Sequence, residues 1–134
     1  MYRSMSRLFY VLCLPLLALT WTGCEAERPG VSYGVLQQGD VLRTYRLYTP
    51  PLLKKSEAVP LLVALHGSGS TSIQFAQESR FDALADSEGF LVVYPDAVES
   101  NWNDGRKDPA FPSGNNGLDD VAFVRAVVDN MVRK

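Results

Sequence analysis

The stretch Val59-Pro60-Leu61-Leu62-Val63-Ala64-Leu65 constrains this chain more than any other. It is apolar without interruption and runs straight into His66-Gly67-Ser68-Gly69-Ser70. A half-solvated strand alternates polar and apolar residues. A strand without alternation is apolar on both faces and belongs in the middle of a parallel sheet covered by helices. Phe90-Leu91-Val92-Val93-Tyr94 repeats the pattern and is stopped by Pro95. Between the two, Thr71 to Glu88 is predicted to be one helix. Thr71 and Gln74 stand at capping-box spacing. Ile73, Ala76, Phe81, Leu84 and Ala85 fall along one side, and Gly89 supplies the stop.

Ahead of this unit, Val31 to Leu36 and Val41 to Thr49 alternate, with the turn-prone Gln37-Gln38-Gly39-Asp40 between them. That reads as a β-hairpin. Leu42, Thr44, Arg46 and Tyr48 share one face of its second strand, and Val41, Arg43, Tyr45 and Leu47 the other. Behind it, Asp96 to Gly117 is a long polar loop, of a length that is uncommon in compact domains and often functional. Leu118 to Val132 is predicted as a second helix. Asp119 and Asp120 lie in its first turn, where negative charge suits the helix dipole. Val121, Val124, Val128 and Met131 mark its expected buried face. Hairpin, strand, helix, strand, helix is the order of an α/β fold, with the two buried strands parallel and close together.

The first 23 residues read as a targeting segment. Arg3 and Arg7 are followed by the apolar run Leu8 to Trp21, too short to span a bilayer and suited to a signal peptide. It ends at Trp21-Thr22-Gly23-Cys24, which resembles a bacterial lipobox, although Trp21 stands where leucine is usual. Residues 1–23 are therefore expected to be a signal peptide of lipoprotein type, with Cys24 lipidated and the chain exported, membrane-anchored or secreted. An ordinary secretory signal cut near Cys24 or Ala26 is the alternative. Residues 24–30 are expected to be a linker, and 31–134 the domain. The net charge is −2, which gives no basic surface for nucleic acid.

Chemistry concentrates at His66-Gly67-Ser68-Gly69. A glycine-rich turn between a buried strand and a helix can aim backbone N–H groups at a developing oxyanion. Any strand-to-helix turn also favours glycine, and the lysine of a phosphate loop is absent. Adjacent Asp119 and Asp120 point about 100° apart around a helix, which suits anchoring better than acid–base catalysis. Asp96, Asn101, Asn103, Asp104 and Asp108 lack EF-hand spacing and read as solvated loop residues. Trp102 either lines a substrate pocket or is structural. No cofactor and no metal site is expected.

In order, Tyr45-Arg46-Leu47-Tyr48-Thr49-Pro50, Pro60 to Gly69, Val92-Val93-Tyr94-Pro95-Asp96, Trp102-Asn103 and Gly117-Leu118-Asp119-Asp120-Val121-Ala122-Phe123-Val124 occur together. This ordered set, over about Val41 to Lys134, resembles the N-terminal half of the polyhydroxybutyrate depolymerase and feruloyl esterase group of α/β-hydrolases. The resemblance implies a Ser-His-Asp esterase acting on polyester or esterified carbohydrate. It also implies that the Ser68 backbone N–H forms part of the oxyanion hole. In that family a Gly-x-Ser-x-Gly elbow follows the Asp-Asp-Val helix. Here Met131-Val132-Arg133-Lys134 stand at that point. No serine is expected at the centre of such a pentapeptide, and His66 is the single histidine. None of the triad is therefore expected among these residues. The implied fold is an incomplete α/β-hydrolase without its nucleophile strand, and Leu61 to Leu65 would be left as an apolar edge. Two other readings stay open. One is a noncatalytic surface lipoprotein that binds a polymer or partner through the Asp96–Gly117 loop. The other is a remnant without activity.

Overall fold

A computed structural model describes residues 28–54, 58–105 and 117–132. The expected signal peptide and Cys24 lie outside the described residues, as does most of the proposed linker. Strand β1 (Val31–Gln38) and strand β2 (Val41–Tyr48) form the hairpin. The turn is tighter than expected, because pairing continues to Gln38↔Val41 and leaves only Gly39-Asp40 between the strands. Strand β3 (Leu61–Val63) is followed by helices α1 (Ser72–Ser79) and α2 (Phe81–Glu88). Strand β4 (Leu91–Pro95), a 3-10 turn (Val98–Ser100) and helix α3 (Asp120–Val132) complete the described elements.

The chain is mixed α/β, and the four strands form one mixed sheet in the order β1-β2-β4-β3. β3 and β4 are parallel neighbours, and β2 pairs antiparallel with both β1 and β4. The doubly apolar pattern of β3 alone suits the middle of a sheet, but among the described strands β3 stands at the edge. That is the position expected of Leu61 to Leu65 in a sheet without its nucleophile strand. The residues of β3 are half-buried, and Leu65 just beyond it is 46% exposed. The interior place goes to β4, where Val92, Val93 and Tyr94 are fully buried.

Alternation along β2 and β4 divides the core between the two faces of the sheet. Tyr48, Val92 and Tyr94 pack with Ala64 against Ala76 of α1 and Ala85 of α2. Tyr45, Leu47 and Val93 pack against Phe123 and Val127 of α3. Gly34 of β1 is required by close approach, because a Cβ there would stand 2.0 Å from Cζ of the Tyr45 ring. The Tyr45 hydroxyl in turn accepts a hydrogen bond from Asn130 of α3 at 2.7 Å.

The predicted single helix over 71–88 is two helices. Thr71 caps the first by accepting from the Gln74 amide at 3.2 Å, and Gly89 ends the second with its N–H on the Ala85 carbonyl. Between them Arg80 is left-handed, with φ 56°. An unbroken helix returns to the same face after seven residues, so Ala76 would be followed inward by Ala83. The break shifts that phase by one residue. Asp82 is buried and Ala83 exposed, while Ile73 and Leu84, expected on the inner side, are about half exposed. Asp82 reaches Arg46 of β2 through two hydrogen bonds, of 2.6 and 3.2 Å, and this buried pair fixes the second helix.

The face of α3 also differs from the predicted one. Phe123 and Val127 are its buried residues, Val124, Val128 and Met131 are half-buried, and Val121 is 70% exposed. The helix starts at Asp120, one turn position after Asp119, whose carboxylate caps it by accepting from the Ala122 amide at 2.8 Å.

Candidate functional site

The loop from Ala64 to Ser70 joins the C-terminal end of β3 to α1. His66 is 3% exposed. Its Nε2 accepts from the Ala97 amide at 3.1 Å, so Nδ1 carries the hydrogen and donates to the Gly67 carbonyl at 2.8 Å. The His66 carbonyl accepts from the Trp102 indole N–H at 2.9 Å. The Gly67 carbonyl also accepts from the Ser70 amide at 3.2 Å. Two consecutive carbonyls are thus tethered. In a trans peptide the C=O and N–H point in opposite directions. Holding the carbonyls of His66 and Gly67 therefore directs the amides of Gly67 and Ser68 away from those tethers. Neither amide donates to a partner among the described residues.

The segment after β4 forms the cradle of this loop. Gly69 donates its amide to the Ser100 carbonyl at 2.9 Å. The Ser68 hydroxyl donates to the Asn101 side-chain oxygen, and Asn101 is oriented by donating to the Glu99 carbonyl at 2.8 Å. Glu99 and Ser100 hold φ of 52° and 58°, a conformation costly for side-chain-bearing residues and retained where the surroundings enforce it. Asp96 is not the solvated residue expected. Its carboxylate accepts from the Ser72 amide (2.8 Å), the Ser72 hydroxyl (3.0 Å) and the Thr44 hydroxyl (3.0 Å). It joins β2, the end of β4 and the first turn of α1.

Trp102 leans on the loop from the α3 side. Its ring lies 5.2 Å from the His66 ring, tilted by 41°, and it packs on the cluster of Tyr45, Phe123 and Val127. The next residue, Asn103, donates its amide to Asp120 and its side chain to the Leu118 carbonyl. Asp120 also pairs with the buried Arg43 at 2.8 Å. Arg43 stands 3.9 Å over the Phe123 ring and donates to Gln38 at 3.0 Å and to the Asp96 carbonyl at 3.2 Å. Its Nε is buried without a partner. Asn103 and Asp120 are therefore anchors, as is Asp119. Among the described residues no cluster of three or more His, Cys, Asp and Glu side chains could hold a metal.

The buried arginines are what sequence reasoning missed. Arg43 and Arg46 read as polar positions of an alternating strand, and nothing local in the sequence announces their acidic partners, 77 and 36 residues away. Burial works against the Arg46 charge, and Asp82 more than offsets it, so the guanidinium is held above its usual range. Burial, then the bond to Asp82, pushes the Tyr94 hydroxyl up as well.

The expectation about the serines is corrected. Gly30-Val31-Ser32-Tyr33-Gly34 has the Gly-x-Ser-x-Gly spacing. It occupies the start of β1, an antiparallel edge strand on the opposite side of the sheet from β3, and Ser32 is exposed opposite Leu47. A nucleophile elbow is a sharp turn from strand to helix; Ser32 sits in extended backbone running into a hairpin. Among the described residues no serine hydroxyl bonds to His66, whose two ring nitrogens are engaged elsewhere. A cavity of about 500 Å³, lined by Arg28, Tyr33, Arg46, Ile73, Gln77 and Arg80 among others, includes none of the 66–69 loop. Among the described residues the geometry offers amide donors for a developing negative charge and no nucleophile–base pair.

The family described as esterase PHB depolymerase matches residues 43–134. A protein of Nocardia uniformis subsp. tsuyamanensis named as a candidate esterase, NocK, is 33% identical over 96 residues, which is 66% of this chain and 26% of that protein. Feruloyl esterase B of Neurospora crassa is 32% identical over 82 residues, 61% of this chain and 28% of that enzyme. The chain thus spans about a quarter of the length of the curated relatives it matches. The family match begins at buried Arg43 and takes in β3, the His66–Gly69 loop and Asp120, the residues from which the site is built, and the chain belongs to the PHB depolymerase esterase family.

Proposed function

We propose that this chain is the N-terminal part of an exported serine esterase of the polyhydroxybutyrate depolymerase and feruloyl esterase type, with an incomplete α/β-hydrolase fold. In this reading the amides of Gly67 and Ser68 form part of the oxyanion hole. The observation that carries it is the tethering of the His66 and Gly67 carbonyls, which directs two successive N–H groups away from those tethers in the loop that leads into α1. Such donors, fixed before the reaction, stabilise the tetrahedral oxyanion of acyl transfer by about 2.7–4 kcal/mol each. The substrate would be a polyester or an esterified carbohydrate. The serine, histidine and aspartate of the triad would come from outside these 134 residues, because His66 is the single histidine and both its nitrogens are occupied.

The 134-residue chain is accordingly expected to show no turnover of p-nitrophenyl butyrate above a protein control. Saturable turnover that survives His66→Ala and is blocked by a serine-directed phosphonate would overturn the placing of the nucleophile. In an active polypeptide containing this segment, Ser68→Pro removes the amide donor along with the hydroxyl bond to Asn101. Relative to Ser68→Ala, which removes the hydroxyl alone, it is expected to lower kcat by about 10²–10³. An unchanged kcat would remove the loop from the oxyanion hole. Export is tested separately. Arg3, Arg7, the Leu8–Trp21 run and Gly23-Cys24 support cleavage before a diacylated Cys24, and intact mass of the membrane fraction reads it directly. An unprocessed cytoplasmic chain would contradict it.

A further inference from the structure

The Gly67 amide is not held by packing. A Cβ built on Gly67 meets nothing within 4 Å, so open space borders the residue that the proposed function needs most rigid. Its orientation must come from hydrogen bonds. The carbonyl on the other end of the same peptide unit belongs to His66, and the partner it accepts from is the Trp102 indole, at 2.9 Å. Because the peptide is planar and trans, fixing that oxygen fixes the direction of the Gly67 N–H.

One of the restraints on Trp102 runs through the residue that follows it. The Asn103 amide donates to one oxygen of Asp120, and the other oxygen takes Arg43 at 2.8 Å. Both partners of that pair are largely buried, at 1% and 10% exposure of the side chains. A single carboxylate therefore ties the residue after Trp102 to the core of β2, and Arg43 also stands 6.0 Å over the Trp102 ring. Asn103 closes the arrangement by donating to Leu118 at 3.0 Å.

We propose that Trp102 is a positioning residue for the Gly67 amide, acting through the His66 carbonyl, and that the Arg43–Asp120 pair, through Asn103, sets Trp102. This rests on the reading of the 66–69 loop as an oxyanion hole only for its use, since the mechanical link stands on its own hydrogen bonds. It gives Trp102 a role distinct from that of a pocket wall. A wall needs the ring alone, whereas a positioning residue needs the indole N–H.

The test compares the ¹⁵N-labelled full chain with Trp102→Phe and Asp120→Asn. Trp102→Phe keeps an aromatic ring and deletes the donor. It is expected to move the Gly67 amide resonance, which reports the hydrogen bond on the preceding carbonyl. The Ala64 amide, bonded to Val93 in the sheet, should stay in place as the check on folding. Asp120→Asn is expected to lower the hydrogen-exchange protection of the Trp102 indole about tenfold, equivalent to about 1.4 kcal/mol. A Gly67 resonance unchanged in Trp102→Phe, or indole protection unchanged in Asp120→Asn, overturns the proposal. Sodium acetate titration separates it from the oxyanion reading. Acetate that moves Gly67 and Ser68 equally in wild type and Trp102→Phe would retain the hole and remove Trp102 from its construction. Acetate that moves neither in wild type, with the two variant effects present, would retain the link and remove the hole.

Discussion

Arg43 and Arg46 stand three residues apart on β2 and turn to opposite faces of the sheet, and both are buried. On the α1–α2 face, Arg46 meets Asp82 through both terminal nitrogens, and Asp82 takes a further bond from the Tyr94 hydroxyl at 2.8 Å. On the α3 face, Arg43 divides its donors among Asp120, Gln38 and a backbone carbonyl, lies over Phe123, and leaves Nε without a partner. A planar fork facing a planar carboxylate gives two parallel, charge-assisted bonds. Arg46 has that arrangement and Arg43 does not. The difference follows what each face does. The first joins helices to the sheet. The second joins the sheet, α3 and the segment carrying Asn103 and Trp102, which leads to the candidate loop. One face is closed by one strong pair, and the other shares a charge among several elements.

The comparison breaks most easily at Asp82. Asp82→Ala leaves Arg46 charged and buried without its carboxylate, and the expected loss is about 3–5 kcal/mol, read by urea denaturation followed by circular dichroism. Asp120→Ala should cost less, about 2 kcal/mol: it removes the Arg43 contact and the bond from the Asn103 amide, while Gln38 and the Asp96 carbonyl still receive Arg43. Equal losses would mean that both faces are locked alike, and a larger loss at Asp120 would reverse the comparison. The smallest effect concerns Tyr48, on the Arg46 face. Burial first, and its 2.6 Å bond to Asp86 second, push its hydroxyl from 10.0 up to about 12. The folded state holds this proton more tightly than the unfolded state. Its contribution is complete below pH 10, and it is lost as the pH rises through about 12. Tyr48→Phe should cost about 1 kcal/mol at neutral pH and flatten the alkaline decline in melting temperature. An identical alkaline slope in the variant would assign that decline to other groups.

The strands were legible because two apolar runs and one alternating hairpin leave few alternatives. The caps at Thr71 and Gly89 were legible for the same reason, each being a local rule satisfied within a few residues. What escaped lay in contacts distant along the chain. The break at Arg80 cannot be read from the helical stripe, because its benefit is the Arg46–Asp82 pair on another strand. The inner face of α3 follows Phe123, whose ring covers Arg43, rather than the valine spacing that marked Val121. Asp96 reads as a loop acid until Ser72 and Thr44 are folded onto it. The His66–Gly69 motif was visible in the sequence. The tethers that direct its amides were not, since Ala97 and Trp102 lie 31 and 36 residues further on. The Ser32 pentapeptide shows the reverse case. Its spacing matches a catalytic signature, and the extended backbone of β1 gives it another meaning.

Gly34 leaves β1 open to change at one position and closed at the next. Val35, 58% exposed, can drift among polar and apolar residues with little consequence. Even a single methyl group at position 34 would displace the Tyr45 ring and loosen the hydroxyl that Asn130 holds. Substitution at 34 is therefore coupled to the size of residue 45, and through it to the seat of α3. In a set of related sequences, a residue larger than glycine at 34 should arrive together with a smaller one at 45.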